Sequence, residues 1–347
     1  MFKIQTSAKR FDANKVNIIE NGRYPYVVRT SSNNGQKGFL DENESFLNAG
    51  NTISFGQDTA TIFYQEKPYF TGDKIKVLVP KVYKFNKKNA QFFLASMNIA
   101  FSKFSWGSSR FNVDVLKEQV IMLPTKCDSI DFEFMESFIE ELEAERIEEL
   151  EAYLSVSGLK DTQLTADELS ALDKFNSIKW KKFNLETLFG KSTRGKRLKG
   201  DDRIGGNLPF VTAGETDEGI SAFISNDVEI FSSNTTTIDM FGSAKYRNYN
   251  YGADDHIAVV HTENLSKYAA IFVTSACHKS AHNGDFSYSR NFYAKDADKL
   301  YISLPVKNEQ PDYELMSTLI SAMQKLVIAD VVKFSDEKIK ATKQVVG

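Results

Sequence analysis

Three short constellations in this chain of 347 residues carry residue types that could do chemistry. Asp254-Asp255-His256 sets two carboxylates beside an imidazole, as a general base or a metal-dependent hydrolase or nuclease would need. Cys277-His278 with His282, and His256 with His261, offer further metal ligands. Gly190-Lys191-Ser192-Thr193 has the form of the tail of a phosphate-binding loop. None completes its pattern. The leading glycine of the loop would fall at Leu185, and the second Cys-rich half of a structural zinc site is missing. Gly252-Ala253-Asp254-Asp255 reads equally well as a turn. No dinucleotide loop or Gly-x-Ser-x-Gly elbow is present. The expectation is a chain without catalytic residues, a metal or a cofactor of its own.

Binding chemistry is richer. Lys191, Arg194, Lys196, Arg197, Lys199 and Arg203 crowd a glycine-punctuated stretch ending at Gly206, and Lys3, Lys9, Arg10 and Lys15 occupy the corresponding place earlier in the chain. Such side chains neutralise phosphates and release counterions. Two polar turns follow matching proline motifs, Arg29-Thr30-Ser31-Ser32-Asn33-Asn34-Gly35 with Lys37 just beyond, and Thr212-Ala213-Gly214-Glu215-Thr216-Asp217. Arg and Asn suit guanine and adenine edges, and carboxylates accept from cytosine. Lys245 and Arg247, Trp106 with Arg110, and Tyr288 with Arg290 complete the candidates, their aromatics being expected in the core rather than stacked on bases. Plain solvated loops are the competing reading for all of these turns.

The elements that must position these residues occur twice, in order. Gly22-Arg23-Tyr24-Pro25-Tyr26-Val27 returns as Gly206-Asn207-Leu208-Pro209-Phe210-Val211, and Gly35 returns as Gly219. Asn51-Thr52 answers Asn234-Thr235, Gly56 answers Gly242, and Asp73 with Ile75 answers Asp255 with Ile257. Leu123-Pro124 answers Leu304-Pro305, and Asp131 through Met135 answers Asp312 through Met316. The unit is too long for a solenoid repeat and about the size of a domain. Short β-branched or aromatic runs near 27–30, 51–55, 60–64 and 75–79 predict strands, and 90–97 predicts a helix. From 131 to 154, Met135, Ile139, Leu142, Ile147, Leu150 and Leu154 recur at helical spacing among glutamates. Leu164-Thr165-Ala166-Asp167-Glu168-Leu169 predicts a Thr-capped short helix. A second long helix is expected from Pro311, with Leu315, Leu319, Met323 and Leu326 on one side. A helix of 25 residues spans roughly 37 Å, close to one turn of B-DNA at about 34 Å.

The formal net charge of −3 hides its distribution. Residues 1–125 hold 17 Lys and Arg against 10 Asp and Glu, whereas 126–177 hold 4 against 15. Net acidity is concentrated in the connecting segment, so a basic face on each globular part stays open. No apolar run approaches the roughly 20 residues that span a bilayer, and the first residues lack the apolar core of a signal peptide. With only Cys127 and Cys277, a disulfide framework is not expected, and the simplest reading is a cytoplasmic protein.

In the ordered set of these motifs the chain resembles the DNA specificity subunits of type I restriction–modification enzymes and the similar subunits of type IIB enzymes. The features are Trp180 and Phe183 leading to Leu188-Phe189, the Gly-x-x-Pro segment followed by Gly35 or Gly219, and a Leu-Pro pair before each long helix. The resemblance covers nearly the whole chain, except that the first copy begins at what corresponds to Leu188-Phe189. It implies an α+β fold with two target-recognition domains, at 1–127 and 179–306. Spacer helices at 128–160 and 307–347 would pack antiparallel, with a linker at 161–178. Double-stranded DNA would be bound through Lys9, Arg10, Arg29, Thr30, Asn33, Asn34, Lys37, Arg110, Lys191, Arg194, Lys196, Arg197, Arg203, Thr212, Lys245, Arg247 and Arg290. Methyltransferase subunits, using S-adenosylmethionine, would dock on Met135, Ile139, Leu142, Leu150, Leu319, Met323 and Leu326, with an endonuclease or translocase subunit as a further partner. A mimic that inhibits or retargets another system would carry the same helices.

Overall fold

The computed structural model describes residues 1–102 and 113–346. Phe104, Ser105, Trp106 and Arg110 lie outside them. Two compact units are built on Met1–Leu150 and on Glu151–Ala341.

In the first unit the strands are β1 (Phe2–Thr6), β2 (Tyr24–Val27), β3 (Gln36–Leu40), β4 (Thr52–Gly56), β5 (Ile62–Gln65), β6 (Phe70–Thr71) and β7 (Ile75–Pro80). Helices α1 (Ala90–Phe101) and α2 (Val113–Glu118), the hairpin β8 (Thr125–Lys126) with β9 (Ser129–Ile130), and α3 (Phe132–Val156) follow. The second unit contains α4 (Ala166–Asp173), β10 (Trp180–Asn184), α5 (Leu185–Phe189), β11 (Thr193–Arg194), β12 (Gly205–Val211), β13 (Ile220–Ile224), β14 (Thr235–Asp239), β15 (Ala244–Arg247), β16 (Gly252–Ala253) and β17 (Ile257–Val260). It closes with α6 (Lys267–Ala281), α7 (Ala294–Asp298), β18 (Tyr301–Lys307), β19 (Gln310–Pro311) and α8 (Tyr313–Val346).

The duplication read from the sequence is a duplication of topology. The four-stranded sheet runs β1-β7-β4-β5 in one unit and β11-β17-β14-β15 in the other. A three-stranded sheet runs β3-β2-β6 and β13-β12-β16, each with an antiparallel hairpin and one parallel pair. The post-proline turns close identically, Val28 N–H on Gly35 O and Thr212 N–H on Gly219 O, both at 2.8 Å. Gly35 and Gly219 sit at φ of 75° and 80°, which accounts for glycine at both places. Register corrects one pairing. Gly56 ends β4 where Asp239 ends β14, so its counterpart is Asp239, and Gly242 lies in the following turn.

Each core lies between the larger sheet and a helix. Ile53, Phe55 and Leu78 pack with Phe93 and Met97, and Ile238, Ala258 and Val260 pack with Val273 and Cys277. Strand β17, Ile-Ala-Val-Val, is buried along its whole length, as its unbroken apolar run requires. Strand β14 is equally buried although three of its five residues are threonines. Their hydroxyls are satisfied internally: Thr235 meets Tyr251 Oη at 2.8 Å and Thr236 meets Thr274 Oγ1 at 2.7 Å.

Both long helices start in the same way. A two-residue turn with positive φ, Cys127-Asp128 or Asn308-Glu309, closes a short hairpin. Pro311 belongs to β19 rather than to the helix, and the cap is Asp312, as it is Asp131 in the first copy. Met135 and Met316, one turn in, are fully buried in their units. In the first unit Asn86 and Asn89 donate to Glu136, at 2.7 and 2.8 Å, and Lys88 pairs with Glu140, fastening α3 beside α1. In the second, Thr165 and Glu168 form the expected capping box of α4. Glu168 also receives Ser321 Oγ at 2.6 Å and Lys325 Nζ at 3.0 Å from α8, and the end of α3 meets α8 where Ser335 donates to Glu151. Helix α8 departs from the membrane reading: Tyr313–Ala341 is long and apolar enough to cross a bilayer. Met316, Leu319, Ala322 and Val332 are buried within the protein, while Met323, Leu326, Val327 and Phe334 are exposed.

Candidate nucleic-acid interface

In the first unit the parallel pairing of β2 with β6 brings Val27 beside Thr71, and Phe11 N–H on Thr71 O draws in the segment after β1. Arg10, Asp73 and Arg29 therefore converge at one end of the sheets. They line an open cavity of about 850 Å³ together with Asn14, Thr30, Ser32, Gln36, Lys37 and Thr59. Four residues singled out from sequence, Arg10, Arg29, Thr30 and Lys37, are thus brought together. Ser32 comes from the polar turn singled out with them; Asn14, Gln36 and Thr59 were missed, because they stand outside the repeated turns and basic clusters.

The cations at this mouth are held but not buried. Arg29 Nη1 lies 2.5 Å from Asp58 Oδ2, which Lys74 Nζ also approaches at 2.7 Å. Arg10 pairs loosely with Asp73 at 3.4 Å, more than half exposed on both sides. Asn33 takes a left-handed conformation, and its side chain bonds to Gln36 O. Two expectations need correcting. Asn34 Nδ2 donates to Tyr64 O at 3.0 Å, so its amide fastens the turn to β5. Lys9 is exposed but lies over the Phe11 and Phe46 rings at 4.6 and 4.5 Å and does not line the cavity.

In the second unit Lys191, Arg194, Lys196 and Arg197 are exposed and make no ion pair among the described residues. Their loop is pressed against the sheet at Gly195, where a Cβ would fall 1.6 Å from Ala253 O. Thr212, half-buried, begins the post-proline turn. Asp239 ties that turn to the β14–β15 turn, accepting from Phe241 N and Ser243 N on one oxygen and from Gly214 N on the other. Glu215 rises beside them, its carboxyl held below the usual range by the Ser243 hydroxyl against the opposing effect of burial, with Lys245 adding to the lowering.

Three basic residues expected at DNA serve the fold. Arg247 is 1% exposed, with Nε on Thr237 Oγ1 at 2.9 Å and Nη1 on Tyr249 Oη at 2.9 Å. Lys245 is spent on Ser243 Oγ at 2.9 Å and Glu215 at 3.3 Å. Arg203 lies over the Phe210 ring and donates to Leu198 O and Ser221 Oγ. Conversely Tyr288, expected in a core, is 85% exposed, with its ring edge-on to Phe241 at 5.1 Å. Arg290 is exposed beside it, over Phe286.

The catalytic candidates resolve into structure. Asp254, Asp255 and His256 bring three ligand atoms within 4.8 Å of one another, in the turn before β17. Asp254 also accepts Leu198 N–H, and Lys74 stands where His256 would be in the first unit. Cys277 is a core residue whose thiol burial pushes up to about 12. His278 accepts from Ala244 N–H and stacks on His282 at 4.8 Å.

Of the expected docking residues, Met135 and Leu319 are buried and cannot meet a partner. Helical spacing marks one apolar face, but the first turns of each helix direct that face into the unit. Ile139 and Leu150 are half-buried; Leu142, Met323 and Leu326 are exposed, as are Phe134, Phe138, Val327 and Phe334, which were missed.

Comparison with known proteins falls on this same duplicated architecture. The family model for the type I restriction modification DNA specificity domain matches residues 1–152 and again 177–331. The type II restriction enzyme BgcI specificity subunit S.BcgI of Heyndrickxia coagulans is 26% identical over 328 residues, covering 92% of this chain and 91% of that protein. The crystal structure of a type I restriction-modification S subunit from M. genitalium matches with a TM-score of 0.62 at 16% identity, over 99% of this chain and 91% of that one, a likeness of fold.

Proposed function

Because the chain belongs to the type I restriction modification DNA specificity family, we propose that its two units read the two halves of a split, asymmetric double-stranded DNA site. The chain is a specificity subunit, which recognises DNA sequence and is itself non-catalytic. The observation that carries the two-half reading is a repeated frame with unlike side chains at its mouth. The matching post-proline turns, closed by the same bond, carry Arg29, Thr30 and Asn33 in one unit and Thr212 and Glu215 in the other. Cationic and amide groups suit guanine and adenine edges, and a carboxylate suits the amino group of cytosine. Lys191, Arg194, Lys196 and Arg197, exposed and without an ion pair among the described residues, supply phosphate contacts that set position rather than sequence.

The exposed apolar residues of α3 and α8, Leu142, Met323 and Leu326 among them, recruit a methyltransferase subunit. That partner binds S-adenosylmethionine and turns its target base out of the duplex. Co-purification with a methyltransferase encoded beside this chain, followed by sequencing of methylated DNA, tests the proposal. A stable complex marking one split motif is expected. A complex that marks nothing points to an inhibitory mimic, and no complex at all removes the docking assignment.

A further inference from the structure

Two turns meet at the mouth of each unit, and the two units join them differently. The comparison runs residue by residue. Val28 N–H on Gly35 O and Thr212 N–H on Gly219 O close post-proline turns of equal length. Positive φ falls at the same places in both, Asn33 and Asn34 at 48° and 52°, Asp217 and Glu218 at 48° and 56°. Arg29 therefore stands where the second unit has Ala213, and Thr30 where it has Gly214. Strand register sets Gly56 against Asp239.

In the second unit the junction is made to main chain. Asp239 accepts from Gly214 N at 3.4 Å and from Phe241 N and Ser243 N at 2.9 and 3.0 Å, and Ala213 offers no cation. In the first unit Gly56 has no carboxylate to give. A Cβ there would fall 3.3 Å from Arg29 Cγ, so the glycine leaves room for the arginine stem. The junction is instead the pair of Arg29 Nη1 with Asp58 Oδ2 at 2.5 Å, and Lys74 Nζ reaches the same oxygen at 2.7 Å. Asp58 sits in a turn of four residues, 57–60, whose counterpart at 240–242 has three. Arg29 lines the open cavity of this mouth, whereas Asp58 and Lys74 stand behind it.

A main-chain tie holds these turns with no guanidinium at all, as the second unit shows. What the first unit gains is an arginine presented in one orientation. Its guanidinium is pinned through Nη1, and among the described residues Nε and Nη2 make no hydrogen bond. Those two groups form one edge of the planar fork, an edge that matches the N7 and O6 acceptors of guanine. Lys74 offsets the Asp58 charge, so Arg29 keeps its positive field. A side chain already fixed on one side also loses less freedom on docking.

We propose that Asp58, its charge offset by Lys74, is a positioning residue that commits Arg29 to a single guanine in the half-site read by the first unit. Arg29 donates from Nε and Nη2 to the guanine N7 and O6, and Asp58 fixes the plane from which it does so. This rests on the reading of the two units as readers of separate half-sites.

The experiment selects duplexes from a randomised pool with the full-length chain. It then compares affinity for guanine and for 7-deazaguanine, which lacks the N7 acceptor, at the selected position. Wild type should enrich a guanine in one half-site. Arg29→Lys should relax that preference by roughly 5- to 150-fold while the other half-site stays as selected. 7-Deazaguanine should weaken wild-type binding at least about fivefold, cost Asp58→Asn less than about twofold, and cost Arg29→Lys nothing. Each cost is a ratio between two duplexes on one protein, so a fall in folded fraction cancels from it. An equal cost in wild type and Asp58→Asn overturns the positioning role, and an equal cost in wild type and Arg29→Lys overturns the guanine assignment. Lower urea midpoints in both variants with the selected motif unchanged would make the pair a tie between turns and nothing more. A wild-type chain that enriches no motif overturns the half-site reading itself, a different failure from a split motif indifferent to Arg29.

Discussion

Lys325 Nζ stands 3.0 Å from Glu168 Oε2, where Glu168 is buried against α8 and also receives Ser321 and its own capping-box N–H. Burial alone pushes this carboxyl up, but the Ser321 hydroxyl, the Thr165 N–H and Lys325 together bring it down to about 2. Glu168 therefore binds its proton less readily folded than unfolded. Its stabilising contribution is complete above about pH 4.5 and is lost as pH falls towards 2. Replacing Glu168 with Gln should cost about 2 kcal/mol at pH 7, since Lys325 would keep only the more distant Asp161 carboxylate at 3.6 Å and the Gln163 carbonyl. Urea unfolding measures both effects: the gap between wild type and Glu168→Gln should narrow below pH 4.5, and a constant gap would contradict the assignment.

Charge reversal of Lys196 and Arg197 together should weaken binding to all DNA sequences alike. It should also lower the slope of log K against log salt by about 2. Arg247→Met should instead destabilise the second unit by roughly 2 kcal/mol, by removing the buried donor to the Thr237 and Tyr249 hydroxyls, while the salt slope stays put. Titration of a labelled duplex at several salt concentrations separates the two. A fall in slope for Arg247→Met would place that side chain back at the DNA.

Substitutions at the mouth of the first unit should alter sequence preference in one half-site only. Arg29→Gln or Asn33→Ala is expected to shift discrimination by about 1–3 kcal/mol at the bases read by that unit. Thr212→Val should act on the other half. Selection from a randomised duplex pool reads both halves at once, and a variant that changes both equally would show that the units do not read separately.

The two cysteines should differ sharply. Cys127 is exposed in its hairpin turn, while Cys277 is buried with its thiol pushed up to about 12. A thiol-reactive dye at pH 8 should label one group per native chain and two after denaturation. Two fast groups in the native chain would mean that the second core opens readily.

Much of this architecture is legible in the residues because the chain states it twice. Prolines, the Gly35 and Gly219 turns and the Asp131 and Asp312 caps each enforce a local geometry that sequence spacing preserves. What the sequence concealed is side-chain direction. Lys245, Arg247 and Arg203 look like DNA contacts by charge alone, yet strand packing and the Phe210 ring turn them inward. Register shows that the position itself takes a buried polar residue, since Gln65 holds it in the first unit, bonded to Ser54 Oγ. Met135 and Leu319 were misplaced for the opposite reason, since an apolar stripe does not say which end of a helix is already covered. Gly56 and Gly242 were paired because both mark one turn, although only register distinguishes its start from its middle.

The paired launch of the long helices has a consequence for how such a chain can change. From Pro124 to Asp131 and from Pro305 to Asp312, the same bond from the aspartate N–H to the proline carbonyl, at 2.9 Å, closes the same hairpin before the same cap. That hairpin behaves as a standard coupling. A foreign recognition domain spliced in ahead of it would inherit the helix start with the same turn and the same aspartate cap, so new sequence preferences can be acquired by exchange of whole parts while the helix that follows is left as it was.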